Sequence, residues 1–299
     1  MITTAQQSAQ RNRNTIHVED GEILSRHEFP GGQFVMRIRS AEVAARAEAG
    51  SFVHISCDET LPMRRPMSIM RAADDWIEIL FKIVGQGLSL LSHKQPGDRI
   101  SIMGPIGRPF VLDPDKPNAL LIGGGVGIPP MVFIAAAMRS DERFRPSAIL
   151  GSEIPFPFER QASALAFPGV NAAIDSTMPL LEGWGVPTRL TSLQDFTGCY
   201  KGYVTDLARC WLDEADAATR SSTAIYTCGP TPMLKAVAAL AADYDIPCQV
   251  SLEDFMACAV GGCAGCAVRV NLPDGPAMQR VCVDGPVFDA GIVDWAAHP

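Results

Sequence analysis

Four cysteines near the carboxyl end constrain this chain more than any other feature: Cys258-Ala-Val-Gly-Gly-Cys263-Ala-Gly-Cys266, followed by Cys282. The C-x4-C-x2-C…C spacing is that of plant-type [2Fe–2S] sites. Four thiolates must converge on two irons, so the connecting loop has to wrap tightly around bridging sulfide. Gly261, Gly262 and Gly265 allow this, because glycine reaches left-handed backbone conformations without strain. Their small size also brings backbone N–H groups near the cluster sulfurs, which tunes the potential. A structural zinc site is the competing reading. Zinc usually takes paired C-x2–4-C knuckles, however, and here one side is the single Cys282. The sequence predicts one cluster, with Cys258, Cys263, Cys266 and Cys282 as metal ligands.

The rest of the chain must carry that cluster. At 299 residues it is long enough for two or three domains. A net charge of −8 argues against nucleic acid and against an anionic membrane surface as partners. Met1 to Asn14 is polar, without the apolar stretch of a secretory signal, and reads as a mobile tail. Nine cysteines without such a signal read as reduced thiols and metal ligands, which places the protein in the cytoplasm. The uncharged run from Ala119 to Met138 is interrupted by Gly123-Gly124-Gly125 and Pro129-Pro130, so it reads as strand, glycine turn and helix rather than a membrane span.

The hydrophobic period divides the chain. Between Ile16 and Met103, short β-rich runs alternate with Gly, Pro and Asp: Glu22–Glu28, Gln33–Ile38, Phe52–Ser56, Met67–Met70, Trp76–Ile83 and Arg99–Met103, with a short helix at Leu88–Ser92. That spacing predicts a small antiparallel β-barrel. Asp113-Pro-Asp-Lys-Pro-Asn118 reads as a linker. Beyond it, strands at Ala119–Ile122, Ser147–Leu150, Thr223–Thr227 and Gln249–Ser251 are interleaved with helices at Pro129–Arg139 and Pro232–Ala242. Such alternation predicts an open parallel α/β sheet. Met178–Tyr200 shows no clear period and reads as a long insertion. The expected organisation is a tail (1–14), a barrel (15–114), an α/β domain (115–250) and a small cluster domain (251–299).

Two loops suit a dinucleotide. Leu120-Leu-Ile-Gly-Gly-Gly-Val-Gly-Ile-Pro-Pro130 runs from strand to helix, and Gly123, Gly124, Gly125 and Gly127 let backbone approach a pyrophosphate. The helix that follows offers unpaired N–H groups and a positive dipole end, and Pro129 is tolerated in its first turn. Cys228-Gly-Pro-Thr-Pro-Met233 follows a later strand. Ligands of open α/β sheets bind beyond the carboxyl ends of the strands, where both loops fall. Gly229 and Pro230 therefore join the candidate site, with Cys228 as the nicotinamide contact. In the barrel, Arg65-Pro-Met-Ser68 precedes a strand and Val84-Gly-Gln-Gly-Leu88 follows another. Arg65 offers a fixed charge to a phosphate, although taken alone it reads equally as a surface charge.

These motifs, in this order, resemble the electron-transfer subunits of dihydroorotate dehydrogenase B, within a wider ferredoxin-reductase-like group. Ile102-Met-Gly-Pro-Ile-Gly107 and Cys282-Val-Asp-Gly-Pro-Val-Phe288 add to the likeness, which covers roughly Ile16 to Phe288. The resemblance implies FAD contacts at Arg65, Pro66, Met67 and Ser68, at Leu80, Phe81 and Lys82, and at Gly87 and Leu88. It also implies NAD as nucleotide and a catalytic flavoprotein as partner in a hetero-oligomer. Departures from the family pattern are Met67 in place of an aromatic residue, Leu88 in place of Thr, and Ala259 in place of Gly.

A nicotinamide exchanges two electrons as hydride, a single [2Fe–2S] cluster carries one, and flavin does both, so flavin must stand between them. All motifs are assigned to flavin, nucleotide or cluster, and none to an organic substrate, which favours an electron-transfer subunit. The same module with another partner, such as a hydrogenase, sulfur or oxygenase system, and a non-catalytic redox sensor are the alternatives.

Overall fold

Alternation of apolar and polar residues builds the first half of the molecule. A computed structural model describes residues 15–298, so the polar stretch 1–14 lies outside the described residues. The strands are β1 (His17–Phe29), β2 (Gln33–Arg39), β3 (Phe52–Ile55), β4 (Arg65–Ala73), β5 (Trp76–Lys82) and β6 (Arg99–Ile106), with helices α1 (Ala41–Ala44) and α2 (Gly85–His93). They close an antiparallel barrel in the order β1-β2-β5-β4-β3-β6. Strand β6 shows the cause plainly: Ile100, Ile102, Gly104 and Ile106 are buried, and the residues between them are not. Each predicted barrel strand is present, mostly with longer bounds.

After the linker the period lengthens. The second half contains β7 (Asn118–Gly124), α3 (Ile128–Met138), β8 (Arg145–Gly151), β9 (Gln161–Ala162), β10 (Ser176–Thr177), α4 (Pro179–Gly183), β11 (Thr188–Ser192), β12 (Tyr200–Lys201), α5 (Val204–Glu214), α6 (Ala217–Ser221), β13 (Thr223–Cys228), α7 (Thr231–Asp243) and β14 (Cys248–Ser251). A hairpin of β15 (Ala267–Leu272) and β16 (Gly275–Arg280) and a last strand, β17 (Val287–Asp289), end the chain. Among the described residues the large sheet has the order β12-β11-β8-β7-β13-β14-β17. It is parallel up to β14, and β17 from the cluster segment joins its edge antiparallel. The strand order reverses between β7 and β13, so the crevice for a ligand opens at their carboxyl ends.

The reading of Met178–Tyr200 as an insertion is corrected here. That segment holds β11, which is buried along its length and pairs in parallel with β8 through Thr188↔Ala148 to Thr191↔Gly151. Its letters, Thr-Arg-Leu-Thr-Ser, hide it, because burial of polar groups is tolerated only when they are bonded. The Thr188 hydroxyl donates to the Val186 carbonyl at 3.0 Å and the Ser192 hydroxyl to that of Ser152 at 2.7 Å. The Arg189 guanidinium donates to the carbonyls of Thr188 and Leu165, each at 2.8 Å.

One apolar core runs from the barrel interior through α3 to the near face of the sheet. The second lies between the far face, α5, α7 and the cluster segment. Helix α3 packs directly on β4, which sets the glycine loop beside the Arg-Pro-Met-Ser strand. The cluster segment docks on the open end of the barrel. The Arg108 N–H donates to the Gly285 carbonyl at 2.6 Å, and a Cβ on Gly107 would stand 2.3 Å from Pro286. Thus Ile102–Gly107 and Cys282–Phe288, singled out together in the sequence, are one contact.

Gly107→Ala should destabilise the protein by about 3 kcal/mol, since overpacking adds to a left-handed backbone. Gly97→Ala, at φ +95° with open space around it, carries the backbone cost alone, about 1–2 kcal/mol. Denaturant midpoints of the two variants measure the difference, and equal losses would remove the docking contact from the account.

Candidate functional site

The flavin motif is held by its neighbour strand. Strand β3 pairs residue for residue with it: Phe52↔Ser68, Val53↔Met67, His54↔Pro66 and Ile55↔Arg65. Met67 and Phe81 face the barrel interior, where the Phe81 ring stacks on Phe34 at 5.3 Å, whereas Leu80 is buried on the outer face beside Val35 and Glu78. Met67 and Phe81 therefore turn backbone, not side chains, to the outer face. Arg65, Pro66, Ser68, Lys82 and Leu88 remain partly exposed. The Arg65 guanidinium lies over Gly87, where an added Cβ would meet its Nε and Nη2 at 3.3 Å. The two barrel motifs therefore meet in space, with a charge at the start of helix α2. The preceding Arg64 was not singled out by sequence. It ties β4 to its neighbours, donating to the carbonyls of His54 and Ser101 at 3.1 and 2.9 Å.

The two nucleotide loops lie back to back. Cys228 pairs with Gly123 at the ends of β13 and β7. A Cβ on Gly127 would sit 2.2 Å from the Cys228 carbonyl oxygen, and one on Gly124 2.5 Å from the Met233 sulfur. One on Gly123 would sit 2.9 Å from Met131, and one on Gly229 2.5 Å from the Met233 methyl. These glycines let protein pack against protein. Gly125, at φ +55° with nothing around it, faces open space. Pro129 is buried in the first turn of α3, and Pro230 is exposed ahead of α7.

Cys228 is fully buried. Burial first, then the nearby Glu253 carboxylate, raises its pKa well above the ordinary thiol value, against hydrogen bonds from Ser251 and the Gly229 N–H. The thiol is neutral and stays so. Glu253, just past the end of β14, was also missed by sequence; the residue is exposed, and the atoms crowded around its carboxyl raise the pKa by desolvation. Only its position beside Cys228 distinguishes it from any surface glutamate.

The cluster cysteines form two pairs. Cys266 Sγ and Cys282 Sγ are 3.3 Å apart, and the Cys263 thiol bonds to that of Cys258. Among the described residues no three metal-binding side chains are gathered around a single point. Two pairs suit two irons better than one tetrahedral zinc. Burial disfavours the Cys258 thiolate, but the N–H groups of Val260, Cys263 and Gly262 and the Cys263 thiol outweigh it and lower its pKa to about 7. Burial, and then Cys266, push Cys282 up to about 12. Arg280 clamps the loop, donating to the Gly261 carbonyl at 3.0 Å and pairing with Asp284 at 3.4 Å. Ala259 and Ala264 take φ of +56° and +52°. That explains the family's glycine at the first of these, since a side chain there is strained. A cavity of about 530 Å³ between barrel and loop is lined by Cys282. Protein isolated without oxygen should contain about two irons and two acid-labile sulfides per chain. Stoichiometric zinc without sulfide would refute the pairing.

Barrel, reversed parallel sheet and paired thiols define an iron–sulfur reductase module of the ferredoxin-reductase type. Residues 253–294 match the iron–sulfur cluster binding domain of dihydroorotate dehydrogenase B. The chain is 33% identical to the dihydroorotate dehydrogenase B (NAD(+)) electron transfer subunit of Geobacillus thermodenitrificans, over 91% of this chain and 96% of that one. It is 29% identical to that of Desulforamulus reducens, over 93% and 98%. The chain belongs to the family of dihydroorotate dehydrogenase B electron transfer subunits. Among solved structures, the NADH-dependent reduced ferredoxin-NADP oxidoreductase superposes with a TM-score of 0.74 at 26% identity, over 92% of this chain and 90% of that one. A ferredoxin NADP+ reductase from Neisseria gonorrhoeae shares the fold, with a TM-score of 0.56 at 18% identity, over 76% and 91%.

Proposed function

We propose that this chain carries electrons between NAD(H) and a catalytic flavoprotein subunit, through FAD and one [2Fe–2S] cluster, in the oxidation of dihydroorotate to orotate in pyrimidine biosynthesis. The observation that carries the reading is the meeting of three motifs: the nucleotide loops beside β4, and the paired cysteines docked at the barrel's end. When bound, FAD supplies the exchange between a nicotinamide's hydride and the single electrons of a cluster.

The chain's own residues do the rest. Arg65, laid over Gly87, holds a flavin phosphate at fixed charge. Pro66, Ser68, Leu80, Lys82 and Leu88, with the backbone of Met67 and Phe81, shape the flavin surface. Gly125 and the N-terminus of α3 receive the pyrophosphate of NAD, and Gly123, Gly124, Gly127, Pro129, Gly229 and Pro230 hold the two loops in register. Cys228, neutral and buried at the end of β13, lies beneath the nicotinamide position, with Glu253 beside it. Cys258, Cys263, Cys266 and Cys282 hold the irons.

The partner approaches at the cluster. Cys263 is exposed, Phe255 is 94% exposed and Val260 51%, an apolar fringe suited to burial by another subunit. The cysteines are all free, which fits a reducing cytoplasm. No helix of the described residues is long and apolar enough to cross a membrane.

Co-purification from the native host tests the assignment. NADH should reduce the bound flavin, and the chain should bring down a flavoprotein that oxidises dihydroorotate. The likeness to the ferredoxin-NADP oxidoreductase favours a second reading, the same module on another redox partner. A different flavoprotein in the complex would establish it.

A further inference from the structure

Histidine 54 has no place in any motif, yet it stands where the flavin strand and the cluster segment meet. It lies in β3 between Pro66 of β4 and Met103 of β6, and is 1% exposed. Its neighbours in the strand show which way it points. Val53 and Ile55 turn into the barrel core, whereas Phe52 belongs to the second core with Met256, Cys266 and Cys282. By alternation His54 shares the face of Phe52, toward the cluster segment.

Both ring nitrogens are buried without a full hydrogen bond. Burial, assisted by the charges of Arg64 and Arg65, lowers the imidazole pKa to about 4, although the carbonyls of Met256 and Arg64 face the ring and oppose the shift. The ring is therefore neutral, with one N–H to donate and one nitrogen to accept. Buried polar groups are rarely left unpaired, and an orphan imidazole points to a partner that comes within reach in the loaded protein. Met256 stands two residues ahead of Cys258, the first cluster ligand. Its carbonyl is the one acceptor near the ring that belongs to the cluster segment. The other belongs to Arg64, at the head of the flavin strand.

We propose that His54 is a positioning residue that bonds the Met256 carbonyl and so fixes the cluster segment against the flavin strand. The ring ties the two cofactor sites through four residues of rigid β3 instead of the long covalent route between them. Small changes in that separation matter, because electron transfer weakens steeply with distance. The proposal rests on the flavin-to-cluster path of the preceding section.

The test uses the FAD- and cluster-loaded protein. His54→Phe fills the same space without a polar atom. It should keep FAD and iron content and the rate at which NADH reduces flavin. Backbone amide exchange in residues 253–258 should quicken by about tenfold or more as the segment loses its tie, and transfer from flavin to cluster should slow. His54→Gln, which still offers an N–H, should restore both. If His54→Phe exchanges and transfers like the parent, or only melts at a higher temperature, the proposal is overturned. If His54→Phe does not load, His54→Gln decides: protected amides support the tie, and fast exchange refutes it. Failure of the underlying path is read separately, as a cluster in the unmodified protein that NADH never reduces.

Discussion

Gly127→Ala should raise the NADH concentration needed to reduce the bound flavin by about a hundredfold while leaving the iron–sulfur signal in place. The added methyl would fall 2.2 Å from the Cys228 carbonyl oxygen and 2.5 Å from the Gly229 nitrogen. Both are backbone atoms at the end of β13, so neither can swing aside as a side chain would. The two nucleotide loops must separate, at a cost of about 3 kcal/mol or more. If that cost falls on the nucleotide-bound state, affinity for NADH drops by about a hundredfold. The atoms an added methyl on Gly127 would meet first belong to Cys228 and Gly229, not to the cluster loop, and the cluster's absorbance should persist. Rapid-mixing measurement of flavin bleaching against NADH concentration gives the answer. An unchanged concentration dependence would mean that the cleft between β7 and β13 is not the nucleotide site.

Cys263→Ser should have the opposite pattern. Cys263 is the exposed member of the Cys258–Cys263 pair, and serine replaces a soft thiolate with a poor iron ligand. The cluster is lost or crippled, but β4 and α3 belong to the other core, Cys263 itself is exposed, and the glycine loops should stand. NADH then still reduces FAD, and a small artificial acceptor still drains it. Delivery to or from the catalytic flavoprotein falls to background. Retention of normal partner-linked turnover with this variant would take the cluster off the path. The two variants together divide the chain's activity at the flavin.

Much of this was legible from local patterns. Barrel strands such as β2 and β6 announce themselves because a half-buried strand must alternate, and alternation is written in consecutive letters. The four cysteines of the proposed cluster were equally plain, since three of them fall in a tight loop within nine residues of chain. Helix α5 carried its own signal, Val204, Leu207, Ala208, Trp211 and Leu212 at helical spacing, which the reading passed over. β11 carried none. Its polar letters are buried because carbonyls of Val186, Ser152 and Leu165, distant or out of period, come to meet them.

The sequence by itself determined the cofactor classes and the order of the modules, because a ligand set, a glycine turn and a strand period are all short-range facts. Tertiary structure alone decided how the pieces face one another. It spent most of the loop glycines on packing strand end against strand end and left Gly125 facing open space. It laid Arg65 over Gly87, paired the cysteines two by two, and placed Glu253 beside Cys228. It buried His54 between two sites that are some two hundred residues apart along the chain. These relations depend on which surfaces the chain brings together when it closes its two cores, and no window of neighbouring letters records that.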